Sequence, residues 1–358
     1  MNKAKYVSVL TLTTLCISTA LAGCGGSSGT TAVSQSQAAS EAAAESVSAA
    51  ETSASSPEAT SAASGEAELN EIIGADKAEE EIVTGDILTN IPYLEDGNEA
   101  HTLDLFGTQE STEPMPGVIE VHGGGYIGGS KEINTEHAAY YRDNGFVVAA
   151  PEYSHVGNGI SFKDVVQELF ASFHFVADHA EEYHFDLDRM FISGDSAGGY
   201  YILLCSAIQQ SPELQEYFEV EALPFEFKAI IATCPGTDVI ALRDSLGAEG
   251  PSGHIADTIG EEILNDEELM SHLDLYSIID PETYPYVYIV TTPDDTTTGA
   301  ETLQFEEYLT EKGIAHELHS YESQGSRMKH VFNIINMEYP ESEQANADII
   351  AFMNQKLQ

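Results

Sequence analysis

Five short apolar runs recur along this chain, and they constrain its fold more than any other feature. They read GVIEVH from residue 117, FVVAAPEY from 146, RMFISG from 189, KAIIATCPG from 228 and YVYIVTT from 286. Each is rich in β-branched and aliphatic residues with little alternation, which predicts strands buried on both faces. Between them lie segments of helical length and period, among them FKDVVQELFASFHFVADHAEEY and ETLQFEEYLTEKG. Strands alternating with helices predict the α/β class, with a mostly parallel central sheet and helices on both faces. HTLDLFG, from residue 101, is expected to add antiparallel strands at one edge. Residues 238–283 are rich in Gly, Asp and Glu and longer than a crossover needs. They predict an insertion near the site, with a partial lid as one form it can take.

In such sheets ligands bind beyond the carboxyl ends of the strands, and two glycine-rich turns stand there. The first is VHGGGYIGGS, in which Gly123, Gly125 and Gly128 satisfy G-x-G-x-x-G. Glu152, closing the next strand, stands where an acidic residue would hold a ribose, so this turn alone leaves a dinucleotide enzyme open. The second is FISGDSAGGYY, residues 191–201. Here Ser196 follows the strand MFIS and precedes the helix-forming YYILLCSAI, the context of a nucleophile elbow. Without side chains, Gly194 and Gly198 let strand and helix approach while Ser196 takes a strained backbone and points outward.

HGGGYIGG together with GDSAGG resembles the α/β-hydrolase fold, in particular the hormone-sensitive-lipase-like esterases and related bacterial carboxylesterases. The resemblance spans about residues 86–355 and includes LDLFG and FDLDRMFISGDSAGG. It implies a Ser, acid, His triad in that chain order, acting without a cofactor. Ser196 is then the nucleophile and His330, in MKHVFNI, the base. The acid is Asp295 when counted forward from YPYVYIVTT, or Asp294 when counted back from the following helix. The oxyanion hole falls to the N–H groups of Gly123 and Gly124, with Gly125 as an alternative, and of Ala197; His122 braces the loop. The chain departs from the family at His330-Val331-Phe332, where His-Gly-Phe is usual, and in the extra residues ESQGSRMK before the histidine.

Other polar groups read as structural. His174, His179 and His184 recur every five residues, which turns successive rings about 140° apart on a helix and off any common metal-binding face. Asp186 and Asp188 read as turn residues, and His316 and His319 as residues of the last strand, AHELHSY. The function implied is a serine ester hydrolase acting on short acyl chains, with an acetylated saccharide among the substrates. Two alternatives stay open: an aminopeptidase or acylpeptide hydrolase with the same triad, and a tethered binding protein without turnover. Tyr126 and Tyr200, near the motifs, are candidates to line a pocket.

The ends speak to location. Lys3 and Lys5 precede YVSVLTLTTLCISTALAG, which predicts a secretory signal over residues 1–23. Its LAGC ending resembles the lipobox of bacterial lipoproteins, which implies lipid on Cys24 and an exported chain anchored at the bacterial cell surface. An ordinary cleaved signal is the alternative. Residues 24–82 hold a Ser/Ala/Glu-rich stretch too poor in apolar residues to fold, and a transition, leaving 83–358 as the catalytic domain. The net charge of -47 repels phosphate backbones, which argues against nucleic-acid partners. Cys205 and Cys234 sit in apolar stretches and read as small buried thiols, with pairing left open; no CxxC pattern offers a metal site.

Overall fold

The structure, a computed structural model, describes residues 85–109, 112–322 and 327–358. The signal, Cys24, the tether and the boundary at residue 83 lie outside the described residues.

Eight strands form one sheet: β1 (Ile87–Pro92), β2 (Thr102–Phe106), β3 (Met115–Val121), β4 (Val147–Pro151), β5 (Phe185–Asp195), β6 (Phe227–Thr233), β7 (Val287–Thr291) and β8 (His316–Ser320). Their order is β1-β2-β4-β3-β5-β6-β7-β8. β1 and β2 are antiparallel to their neighbours, and every pair from β4 to β8 is parallel. The HTLDLFG stretch thus supplies an antiparallel strand near one edge, as its position suggested. β4 and β7 are buried at every position, the state that uninterrupted apolar runs require.

Among the described residues the α-helices of seven or more residues are α1 (Thr135–Asp143), α2 (Phe162–Asp178), α3 (Ser196–Gln210), α4 (Pro212–Phe218), α5 (Pro251–Ile259), α6 (Glu267–Leu273), α7 (Gly299–Lys312) and α8 (Pro340–Lys356). They divide between the two faces of the sheet, because successive strand residues point to opposite sides. Val118, Phe191 and Ile231 meet Ala138 and Tyr141 of α1 and Ile349 and Met353 of α8. Their neighbours Ile119, Ile192 and Ile230 join the core with Phe162 of α2, Leu203 of α3 and Phe305 of α7.

α2 begins in a capping box, with Ser161 and Asp164 each satisfying the other's N–H. It stops at Asp178, five residues short of the helical pattern read from the sequence, with His179 as its C-cap. Only His174 of the three spaced histidines is therefore helical; its Nε2 lies 3.1 Å from the Glu221 carbonyl. Asp186 and Asp188 fall inside β5 beside a register irregularity, where Asp186 Oδ1 accepts the Asp188 N–H.

Residues 238–283 fold into short helical segments, of which Leu264, Leu273 and Leu275 are fully buried in the core while Ile240, Leu242 and Leu246 are only partly so. Tyr200 belongs to that core as well. It is buried, and its hydroxyl donates to the Leu273 carbonyl at 2.6 Å. Cys205 and Cys234 are both buried and unbridged.

The chain leaves β3 for β4 on one side and returns to β5 on the other. That reversal opens a crevice at the carboxyl ends of β3 and β5. Val121 pairs with Gly194 across it, which sets the two glycine-rich turns side by side.

Candidate active site

β5 ends at Asp195 and α3 begins at Ser196, with nothing between them. So abrupt a change of direction forces Ser196 to φ 50, in the left-handed region that costs a side-chain-bearing residue about 1–3 kcal/mol. The flanking glycines make the bend possible. A Cβ on Gly198 would lie 2.2 Å from the Val121 oxygen and 2.3 Å from the His122 oxygen. On Gly194 it would meet the Gly198 oxygen at 2.8 Å. These are backbone atoms with no room to yield, so β3, β5 and α3 come this close only because both positions are bare.

The elbow presents Ser196 Oγ to His330 Nε2 at 2.8 Å. His330 Nδ1 lies 3.1 Å from Asp295 Oδ2. Asp295 is fixed in turn by the N–H groups of Thr297 and Thr298, which donate to its Oδ1 at 2.8 and 3.2 Å. Burial works to raise its pKa, but His330 and these N–H donors outweigh it and hold the carboxyl down at about 2. Asp294, the other reading, is half-buried, and among the described residues no hydrogen bond or ion pair joins it to His330; its N–H lies 3.4 Å from Thr292 Oγ1. Val331, standing where the family usually has glycine, sits at φ 48, a backbone that suits glycine and strains a β-branched residue.

Cys234 is the unanticipated neighbour of this trio. Its Sγ, one oxygen of Asp295 and one nitrogen of His330 all lie within 4.8 Å of one another, the spacing of a small metal site. The chemistry argues against one. Burial pushes the Cys234 thiol well up, and the carboxylate is already engaged. Both Asp295 oxygens are already taken by His330, Thr297 and Thr298.

Facing Ser196, the first glycine turn runs through positive φ at Gly124 (142), Gly125 (58) and Tyr126 (70). Gly124 has to be glycine, since a Cβ there would fall 1.8 Å from the Gly128 oxygen. The expectation that Gly123 offers its N–H to an oxyanion needs correction. That N–H is donated to Asp195 Oδ1 at 3.1 Å, because the carboxylate is held beneath the turn by Asn134 Nδ2 at 2.8 Å. Among the described residues no hydrogen bond takes up the N–H of Gly124, Gly125 or Ala197 as one does that of Gly123.

His122 secures the loop from below. Its Nδ1 is 2.7 Å from the Gly123 carbonyl and its Nε2 2.9 Å from Glu152 Oε1, and the ring stacks on Tyr153. With an acceptor on each nitrogen the ring is an imidazolium. Burial works against that charge, but Glu152 and the Gly123 carbonyl prevail and raise the His122 pKa. Glu152 is lowered, its hydrogen bonds to His122 and to the Lys131 and Tyr153 N–H groups outweighing burial. Glu152 thus closes a structural pair and is not presented to a ribose.

Sequence reasoning passed over a second buried layer. Glu120 contacts His137 Nδ1 and lies 3.5 Å from Asn134, which bridges to Asp195. Burial pushes both the Glu120 and the Asp195 carboxyl upward. The only signal for this layer was the acidic residue inside GDSAGG; its partners lie 61 and 72 residues away in the chain.

Fold and site together define an α/β-hydrolase. The BD-FAE family model matches residues 103–309, more than half of the chain, and the chain belongs to that family. Among curated proteins it is similar to a probable isoprenylcysteine alpha-carbonyl methylesterase of Arabidopsis thaliana, 33% identical over 108 residues, 30% of this chain and 22% of that one. A protein of the same description from Oryza sativa subsp. japonica is 25% identical over 230 residues, 62% of this chain and 52% of that one. The chain thus spans from about a fifth to about half of the length of the curated relatives it matches. Among solved structures, esterase B from Lactobacillus rhamnosis is 25% identical with a TM-score of 0.72, over 84% of this chain and 96% of that one. Another structure of that esterase was determined with a tributyrin phosphonate inhibitor.

Proposed function

We propose that the chain is a serine carboxylic-ester hydrolase acting on short acyl esters, acetylated saccharides among them. One observation carries the reading: a strained Ser196 holds its hydroxyl 2.8 Å from an imidazole that a buried carboxylate orients. Ser196 Oγ attacks the acyl carbon while His330 Nε2 takes its proton. Asp295 keeps the Nδ1 proton in place and stabilises the imidazolium that forms. Negative charge develops on the carbonyl oxygen, and the N–H groups of Gly124, Gly125 and Ala197 are the donors for it; losing one such donor costs roughly 10²- to 10³-fold in turnover. His330 then returns the proton to the leaving alcohol, and a water attacks the acyl-enzyme by the same route. The preference for short chains is supported by the insertion, where Leu264, Leu269, Leu273 and Leu275 are buried in the core.

The test is hydrolysis of p-nitrophenyl acetate, butyrate and octanoate by the chain and by Ser196→Ala. Turnover that falls with acyl length and vanishes in the variant is expected. Folded protein without turnover on any ester would return the reading to a peptidase or a binding protein.

The same proposal places the chain outside the cell, exported and held to the membrane by lipid on Cys24. Its support is the charged start, the short apolar run and LAGC. Intact-mass measurement of membrane-fraction protein, beside Cys24→Ala, tests it: the acyl mass and the membrane association should both be lost in the variant.

A further inference from the structure

A carboxylate stands in a layer of the core that is otherwise largely apolar. Alternation along β3 turns Glu120 to the same side as Val118, toward Ala138 and Tyr141 of α1, and its side chain is fully buried. Glu120 Oε1 meets His137 Nδ1 from α1 and lies 3.5 Å from Asn134 Nδ2. Asn134 in turn donates to Asp195 Oδ1 at 2.8 Å, the same atom that takes the Gly123 N–H at 3.1 Å. Four buried side chains thus run from α1 to the first glycine turn.

Stability does not account for them. A buried pair such as Glu120 and His137 is often no better for a fold than apolar side chains of the same volume. Asn134 stands at the N-cap of α1, where an Asn side chain ordinarily accepts an N–H of the first turn and steadies the helix. Here the side chain makes no capping bond and is turned to the two carboxylates instead. Glu120 Oε2, Asn134 Oδ1 and His137 Nε2 have no hydrogen-bond partner among the described residues, and a buried hydrogen bond left unmade subtracts from stability.

We propose that Glu120 and His137 are positioning residues for the oxyanion turn, acting through Asn134 and Asp195. The role rests on the ester-hydrolase reading and deepens it. The Asn134 amide has two carboxylates before it, and its NH2 group is the end that can serve both. Glu120 therefore fixes which way the amide points, and His137 fixes Glu120. With the amide so held, Asp195 Oδ1 keeps the Gly123 N–H. The other carboxylate oxygen packs against the same glycine, for a Cβ on Gly123 would lie 2.5 Å from Asp195 Oδ2. A shift of that carboxylate moves the backbone that carries the Gly124 and Gly125 N–H groups. Charge on the carbonyl oxygen develops only toward the transition state, so misplaced donors lower kcat and leave KM nearly alone.

The test replaces the pair by apolar side chains of similar shape, Glu120→Met together with His137→Phe, beside Glu120→Gln, which keeps an acceptor for Asn134 and His137. The quantities read are kcat and KM on p-nitrophenyl acetate, the melting temperature, and inhibition by trifluoromethyl propyl ketone. Ser196 Oγ adds to the carbonyl carbon of that ketone, its proton passes to His330, and the ketone oxygen becomes the anion. Small misplacements in a site cost up to about a hundredfold, so kcat should fall about 10- to 100-fold in the double variant with KM changed by less than about twofold. Inhibition by the ketone should weaken by a similar factor, and Glu120→Gln should recover most of the lost kcat. Glu120→Met alone carries the same expectation and is read where the double variant does not fold. Folded variants with unchanged kcat, a loss confined to KM, undiminished inhibition by the ketone, or a Glu120→Gln as poor as Glu120→Met would each overturn the proposal. Failure of the unmutated chain to hydrolyse p-nitrophenyl acetate at all would instead sink the ester-hydrolase reading, and this inference with it.

Discussion

Replacing Asp295 by Asn tests the site with little change of shape. Thr297 and Thr298 can still donate to the remaining carbonyl oxygen, since both N–H groups face Oδ1. The new amide group then donates toward His330 Nδ1, which has to become an acceptor. The proton moves to Nε2, the atom 2.8 Å from Ser196 Oγ, and the imidazole can no longer take the serine proton. In the serine-protease triad this tautomer error lowers kcat by about 10⁴, and a loss of roughly 10³- to 10⁴-fold is expected here. Stability changes with it. The carboxyl is held at about 2 against an ordinary 3.8, which corresponds to about 2 kcal/mol. Because the folded value is the lower one, this contribution is present above pH ~4 and is lost as pH falls toward 2. Asp295→Asn should therefore melt about 4–8 °C lower at pH 7, with the difference shrinking in acid. The assay pairs p-nitrophenyl acetate turnover with thermal unfolding, and Asp294→Asn serves as the control. A tenth or more of wild-type kcat in Asp295→Asn, or an equal loss in Asp294→Asn, would refute the reasoning.

Further outcomes follow from the surroundings of the triad. Gly198→Ala places a methyl group against two backbone oxygens and should cost about 1–3 kcal/mol of stability in denaturant unfolding, with turnover lost as the two turns part. His122→Gln leaves the partly buried Glu152 carboxylate without its cation and should destabilise by about 1–3 kcal/mol at neutral pH. Since His122 is raised and Glu152 lowered, the pair's contribution is fully present between their ordinary values, is lost as pH rises through the raised His122 value, and is lost in acid as Glu152 protonates. Melting temperature against pH should show the alkaline loss in the wild type and not in the variant. Asp195→Ala strips the acceptor from the Gly123 N–H and Asn134, and should cost about 1–3 kcal/mol, read by unfolding alongside kcat.

The sheet was legible because its inner strands are buried on both faces and so appear as uninterrupted apolar runs, and the elbow because two glycines bracket a serine between such a run and a helix. Helix ends were less so. The period of α2 continues past Asp178 in HAEEY, and only the capping at His179 stops it. Adjacent carboxylates at 294 and 295 are equivalent to any count along the chain. The N–H groups of Thr297 and Thr298, together with His330, distinguish them in space. Gly123 was misjudged for a similar reason: the direction of its N–H is set by Asp195, held by Asn134 61 residues earlier. Tyr200 beside the elbow gives its hydroxyl to the insertion, a contact no local pattern encodes.

The central claim is that Ser196 is the atom acylated during ester hydrolysis. Rapid mixing of the chain with p-nitrophenyl butyrate, quenched in acid and followed by peptide mass measurement, tests it directly. A burst of one p-nitrophenolate per chain, with the butyryl mass on the peptide containing Ser196 and no burst from Ser196→Ala, is the expected result. Turnover that persists in Ser196→Ala, or a butyryl mass on any other residue, would contradict it.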